Sequence, residues 1–107
     1  MTTTVKKLKT YKWDPVRYLK TDKDRAAYLE AALEENDAAL VAAVLGDIAR
    51  SKGMSRVAKK AGVGRESLYK TLSGKGNPKL ETLLKVTHAL GLKLTVSTVR
   101  HEQARAA

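Results

Sequence analysis

Residues 54–74 read Met54-Ser55-Arg56-Val57-Ala58-Lys59-Lys60-Ala61-Gly62-Val63-Gly64-Arg65-Glu66-Ser67-Leu68-Tyr69-Lys70-Thr71-Leu72-Ser73-Gly74. The stretch divides into two short helical runs, Ser55 to Ala61 and Arg65 to Leu72, three residues apart. Val57 and Ala58 face inward, and Ala58 is small enough for a second helix to cross close by. Gly62 lets the chain turn with positive φ, and Val63 plugs the joint. Leu68 and Leu72, four apart, anchor the second run and turn Arg65, Glu66, Ser67, Tyr69 and Lys70 outward at its N-terminal end. This is the anatomy of a helix-turn-helix spanning residues 55–72.

The outward residues suit reading a DNA duplex. Arg65 can make a bidentate contact to guanine, Glu66 can accept from cytosine, and Ser67 can serve base or phosphate. Tyr69 can donate to phosphate or touch a thymine methyl, and Lys70 suits phosphate. Backbone N–H groups at the start of the first run, near Ser55, and Lys75, Asn77 and Lys79 beyond the second can grip the flanking phosphate strands. The competing reading of each position is an ordinary solvated helix face.

Outward from this core the chain reads as further helices. Asp14-Pro15 fits an N-cap followed by proline in the first turn, opening a short helical turn to about Lys20. Thr21 or Asp22 can cap the next helix, with Leu29 and Leu33 four apart, Ala26 and Ala32 beside them, and Glu30, Glu34 and Glu35 on the other side. Asp37 can cap a helix in which Leu40, Val41, Val44, Leu45 and Ile48 repeat at spacings of three and four, with Gly53 as its stop. After the turn Gly74-Lys75-Gly76-Asn77-Pro78, Leu80, Leu83, Leu84, Thr87 and Leu90 mark a last helix that Gly91 ends. Leu92, Leu94 and Val96 then alternate with polar residues, a half-buried strand pattern. Such a strand pairs with its copy in a second chain, packs on its own helices, or extends a partner's sheet.

The expected fold is therefore all-α. A basic N-terminal arm (1–13) precedes a helical domain (14–91) of five helices and a short N-terminal helical turn; one C-terminal strand (92–99) and a tail (100–107) follow. In 107 residues there is room for one domain.

Charge is segregated along this plan within a net +10. Residues 1–20 hold six basic and one acidic side chain, 21–50 three and seven, 51–79 eight and one, and 80–107 four and two. An acidic helical region beside a strongly basic one suggests a binding face for an anion and a solvated back. Nucleic acid leads among the partners, ahead of an acidic protein or a membrane surface; the bland alternative is surface lysine for solubility.

The exclusions are broad. Zero cysteines rule out disulfides, thiolate metal sites and a cysteine nucleophile. His88, four residues after Leu84, reads as a packed or hydrogen-bonded side chain, and His101 lies in the tail. Glu34, Glu35 and Asp37 lack calcium-loop spacing, and no glycine loop of phosphate-cradling type occurs. No enzyme activity, metal or cofactor is expected. With no signal peptide and no window near the roughly 20 apolar residues of a membrane span, the expected setting is cytoplasmic.

On Tyr28-Leu29-Glu30-Ala31-Ala32-Leu33, Leu45-Gly46-Asp47-Ile48-Ala49-Arg50, Arg65-Glu66-Ser67-Leu68-Tyr69-Lys70, Gly74-Lys75-Gly76-Asn77-Pro78 and Ala89-Leu90-Gly91-Leu92, the chain resembles a known family. It is similar to the Xre-like, lambda-repressor-like helix-turn-helix proteins, and within them to addiction-module antidotes of HigA type. The resemblance spans residues 12–96. It implies a lambda-repressor-like fold, neutralisation of a small RelE/ParE-like toxin encoded beside it, and repression of the shared promoter as a homodimer on operator DNA. A two-fold dimer would set its recognition helices about one DNA turn, roughly 34 Å, apart on an inverted repeat. Where other antitoxin families carry long toxin-binding tails, only the first dozen or so and the last eight residues here are available for one.

Tyr11, Trp13 and Tyr18 form an aromatic group in basic surroundings. They suit a toxin-binding interface, a staple onto the chain's own helices, or stacking on nucleic acid. Two competing functions remain at this point: an Xre-type repressor with no toxin partner, and a protein-binding inhibitor whose helix-turn-helix has little specific DNA affinity.

Overall fold

A computed structural model describes residues 14–73 and 77–99; Tyr11, Trp13, Lys75 and His101 lie outside the described residues. The architecture is all-helical. A 3-10 turn, Pro15–Tyr18, precedes five α-helices among the described residues: α1 (Asp22–Leu33), α2 (Ala38–Lys52), α3 (Met54–Ala61), α4 (Arg65–Thr71) and α5 (Leu80–Ala89).

The first elements start where side chains satisfy free backbone N–H groups. Asp14 Oδ1 accepts from Val16 N–H at 3.2 Å. Thr21 rather than Asp22 caps α1: its Oγ1 accepts from Asp24 N–H at 3.0 Å while Asp24 Oδ2 accepts from Thr21 N–H at 3.1 Å, a reciprocal capping box. Those backbone and hydroxyl bonds from Thr21 hold the Asp24 carboxyl below the usual carboxylate range. Asp37 Oδ1 accepts from Ala39 and Leu40 N–H at 3.0 and 3.2 Å to open α2, and α2 ends at Gly53 as its pattern predicts.

Helix α2 is the central support. It packs against α1, the 3-10 turn and α3, while α3 also carries α4 and α5. Leu45, Ile48 and Val44 of α2 meet Leu29 of α1, Val57 of α3, Leu68 of α4 and Val86 and Leu90 of α5 in one buried cluster. Polar ties hold the periphery. Tyr28 Oη donates to buried Asp47 Oδ2 at 2.9 Å, and Arg50 donates to Asp47 Oδ1 at 2.8 Å. Burial first, and then the neighbouring Asp47 carboxylate, push the Tyr28 hydroxyl far above its ordinary pKa. Lys52 Nζ donates to Leu90 C=O at 3.3 Å, closing the C-terminus of α5, and reaches Asp22 at 3.5 Å. The Lys52 charge, with the Arg25 bond, holds Asp22 below the usual carboxylate range.

One contact fixes where α4 sits. Gly46 is buried in α2, and a β-carbon built there would stand 2.7 Å from the backbone oxygen of Leu72. Only the missing side chain lets the end of α4 rest on α2.

The helix pattern places several residues differently from the expected stripes. Leu33 is exposed, and the inward face of α1 is Tyr28, Leu29 and Ala32 instead. In α5, Leu83, Val86, Thr87, Ala89 and Leu90 turn toward the core, leaving Leu80 at 67% and Leu84 at 51% exposure. That helix holds more apolar positions than one face can bury, and Val86 takes the place expected for Leu84. His88 is consequently exposed rather than packed beside the stripe.

The strand expected at 92–99 is absent, and no strand occurs among the described residues. Leu92 packs partly on the core and its N–H donates to Thr87 C=O at 3.0 Å. From Lys93 to Val99 no backbone hydrogen bond is made among the described residues, and Val96 is 99% exposed. Alternation specifies a strand only where a second strand completes the ladder.

Two stability predictions follow from this packing. Gly46→Ala gains up to about 1 kcal/mol of helix propensity but overpacks a rigid carbonyl by about 1–3 kcal/mol. A lower urea midpoint is the expected result, and a raised midpoint would contradict the close approach. Tyr28→Phe removes a hydrogen bond to a charged group, a loss of about 1.5–3 kcal/mol at neutral pH. Because folding raises the Tyr28 pKa, the folded chain keeps a proton that the unfolded chain releases above about pH 10. Wild-type stability from this source is complete below pH 10 and is lost as pH climbs toward the folded value. The gap between wild type and Tyr28→Phe should therefore narrow between urea titrations at pH 8 and pH 11.

Candidate nucleic-acid interface

The segment quoted first folds into two helices at nearly the expected limits. Helix α3 begins one residue early, at Met54, and α4 ends at Thr71 with Leu72 as its C-cap. Between them Gly62 adopts the left-handed conformation (φ 73°, ψ 30°), which the glycine permits without a Cβ clash. Val63 N–H donates to Ala58 C=O at 3.0 Å, and its side chain packs partly against the core. Val57, Ala58, Leu68 and Leu72 are all buried.

With Leu68 and Leu72 inward, Arg65, Glu66, Ser67, Tyr69 and Lys70 are exposed together on α4. The Arg65 guanidinium lies 5.6 Å from the centroid of the Tyr69 ring, one turn away. Such a cation–π contact at an exposed site contributes about 0.5–1 kcal/mol and restrains a side chain that would otherwise sample many rotamers. It leaves Arg65 charged and available at the front of the helix.

Ser55 is exposed in the first turn of α3, whose N-cap is Gly53 and whose opening N–H groups receive no side-chain bond. Asn77 and Lys79 are exposed, with Lys79 as the N-cap of α5, again without a side-chain cap. This contrasts with α1 and α2, which are closed by Thr21 and Asp37. Tyr18 is exposed on the 3-10 turn, the one member of the expected aromatic group within the described residues. Arg56, Lys59 and Lys60 are exposed on α3 and enlarge the positive surface. They are missing from the set expected from sequence, although their i, i+3 and i+4 spacing marks one helix side.

A shallow pocket of about 220 Å³ lies between α2 and the end of α4, lined by Gly46, Asp47, Arg50, Tyr69 and Ser73 among others. Asp47 there is engaged by Tyr28 and Arg50. Among the described residues no three His, Asp or Glu side chains gather as a metal site, and no helix is long and apolar enough to cross a membrane. What the arrangement offers chemically is positive charge, hydrogen-bond donors and one carboxylate, Glu66, on a short rigid helix.

Comparisons with known proteins address the whole chain. No solved structure matches it significantly. An uncharacterized protein of Haemophilus influenzae is 42% identical over 88 residues, which cover 82% of this chain and 91% of that protein. A family model described as "Probable addiction module antidote protein" matches residues 9–98, which include every described helix. The chain thus belongs to the family of probable addiction module antidote proteins.

Proposed function

We propose that this antidote is a cytoplasmic antitoxin of a type II toxin-antitoxin module that also binds DNA. In this reading α3 and α4 act as a helix-turn-helix of the Xre, lambda-repressor-like, HigA type. The protein represses the promoter of its own module and neutralises a RelE/ParE-like toxin encoded beside it. The observation that carries the DNA-binding part is the joint exposure of Arg65, Glu66, Ser67, Tyr69 and Lys70 on a helix anchored by buried Leu68 and Leu72.

Each group has a task in that mechanism. Arg65, steadied by Tyr69, and Glu66 meet base edges; Ser67, Tyr69 and Lys70 contact base or phosphate. The uncapped start of α3 near Ser55, with Lys75, Asn77 and Lys79, grips phosphate oxygens and sets affinity without reading sequence. Arg56, Lys59 and Lys60 add to the salt-dependent attraction. Tyr11, Trp13 and Tyr18 remain assigned to toxin contact on the strength of their residue types alone.

A homodimer on an inverted repeat belongs to the same proposal. Leu80 and Leu84, four apart on α5 and exposed, supply an apolar strip that a two-fold partner would cover.

The reading is tested by fluorescence anisotropy of the full chain on its own upstream duplex and on a scrambled duplex at two salt concentrations. Wild type should prefer the native duplex. Arg65→Ala should weaken binding by about 1–3 kcal/mol, concentrated at one base position. Arg65→Ala with Lys70→Ala should abolish operator preference while leaving toxin neutralisation in growth assays intact. Equal, salt-sensitive binding of wild type to both duplexes would instead favour a protein-binding inhibitor, and absence of any toxin partner would favour a plain repressor. Leu84→Lys should shift the species seen by light scattering from dimer to monomer; an unchanged dimer would place the interface elsewhere.

A further inference from the structure

A groove of about 200 Å³ runs between α1 and residues 92–95. Its helical wall carries Leu29, Glu30 and Leu33, and the facing wall carries Leu92, Lys93 and Leu94. Leu29 belongs to the buried core and Leu92 packs partly against it, whereas Leu33 is 42% and Leu94 37% exposed. Each wall thus presents one half-exposed leucine and one exposed charge, and the two charges are opposite in sign. Neither Glu30 nor Lys93 makes an ion pair among the described residues. Asp22 and Asp24 on the same helix, by contrast, are already tied to Arg25, Lys52 and Thr21.

We propose that this groove seats a second copy of the chain in a two-fold contact. A two-fold axis standing upright in the groove exchanges its walls, so α1 of each copy lies over residues 92–95 of the other. Glu30 then faces the wall that carries Lys93 of the other copy, and Leu33 faces the wall that carries Leu94; by symmetry each contact is made twice. Charge complementarity selects this occupant. A partner surface of a single sign is attracted by one wall and repelled by the other. A surface with an acid and a base on opposite sides satisfies both walls, and a second copy has that arrangement by symmetry. The leucines supply the apolar centre and the charges the rim, the usual anatomy of a protein interface.

The net +10 of the chain does not oppose this contact locally. Its excess is concentrated in residues 51–79, with eight basic and one acidic side chain, whereas residues 21–50, which contain α1, hold three and seven. Across residues 92–99 Lys93 is the one charged side chain. The groove is also distinct from the apolar strip on α5, since neither Leu80 nor Leu84 lines it. A chain that uses both surfaces touches two different copies, so the groove joins dimers formed through α5 into larger assemblies. Resting on two leucine contacts and two ion pairs, it belongs to the small, weak class of interface.

The test is sedimentation equilibrium of the full chain carrying Leu84→Lys, which removes the α5 contact, at low and high salt and at concentrations up to about 1 mM. This chain should pass reversibly from monomer to dimer. Adding Glu30→Lys or Lys93→Glu sets like charges face to face and should weaken the association at least tenfold at low salt, less at high salt. Adding both restores opposite charges with their places exchanged and should return the association to within about threefold of the parent. Leu33→Ser should weaken it at least tenfold at either salt. Recovery in the double variant separates a contact between copies from damage to the fold, which a second substitution would deepen. A Leu84→Lys chain that stays monomeric throughout overturns the groove contact and leaves the α5 dimer standing. Association that ignores the charge changes, or that the double variant does not recover, overturns it as well. A wild type that is itself monomeric at every concentration takes both contacts down together.

Discussion

The close approach of α4 to α2 at Gly46 is the constraint from which the geometry of the cationic side derives. A methyl group there would meet the Leu72 carbonyl at 2.7 Å, so any other residue pushes the C-terminal end of α4 outward. Leu68 and Leu72 reach the common core only while that contact is kept. The outward direction of Arg65 and Lys70 is fixed by the same burial, since positions three and four apart share a face and those between them do not. A missing side chain on one helix thus determines which side chains another presents to solvent.

The hydrogen-bonded cluster beside this contact limits how far α2 can adjust. Asp47, one residue after Gly46, is buried and accepts from both Tyr28 and Arg50. Removing either donor would leave a buried carboxyl short of a partner, which is more costly than an equal loss at the surface. Helix α2, against which the end of α4 rests, is therefore held on its α1 side by a polar tie as well as by Leu45 and Ile48.

The stretch from Met54 to Leu72 was legible in sequence because short-range rules decide it: glycine at the left-handed turn, and leucines four apart on a helix too short to bury anything else. Caps at Asp14 and Asp37, and Thr21 as one of two candidates, were legible for the same reason, each depending on a side chain reaching backbone two or three residues on. What pattern alone misassigned were choices among several apolar positions. Leu33, Leu80 and Leu84 fit a stripe as well as their buried neighbours, and only the placement of α2 and α3 decides between them. The Gly46 contact and the burial of Tyr28 with Asp47 join residues 26 and 19 positions apart, beyond the reach of periodicity. The alternation at 92–96 misled because it describes a residue's fitness for a sheet and cannot supply the neighbouring strand.

Segregation of charge has a physical use in a small protein expected to meet two partners. Glu66 is the one carboxylate on α3 or α4; further ones beside Arg65, Lys59 and Lys70 would neutralise the attraction that brings a polyanion to that side. Helix α1 packs on α2 while α4 packs on α3, with its end brought against Gly46 of α2. At physiological ionic strength the Debye length is about 8 Å, so exposed charges farther apart than that are largely screened from one another. Each surface then keeps its own sign of potential at short range, even though the chain as a whole carries +10. Within 107 residues the segregation leaves Glu66 as the one carboxylate against eight basic side chains in residues 51–79, while residues 21–50 hold seven carboxylates against three basic side chains.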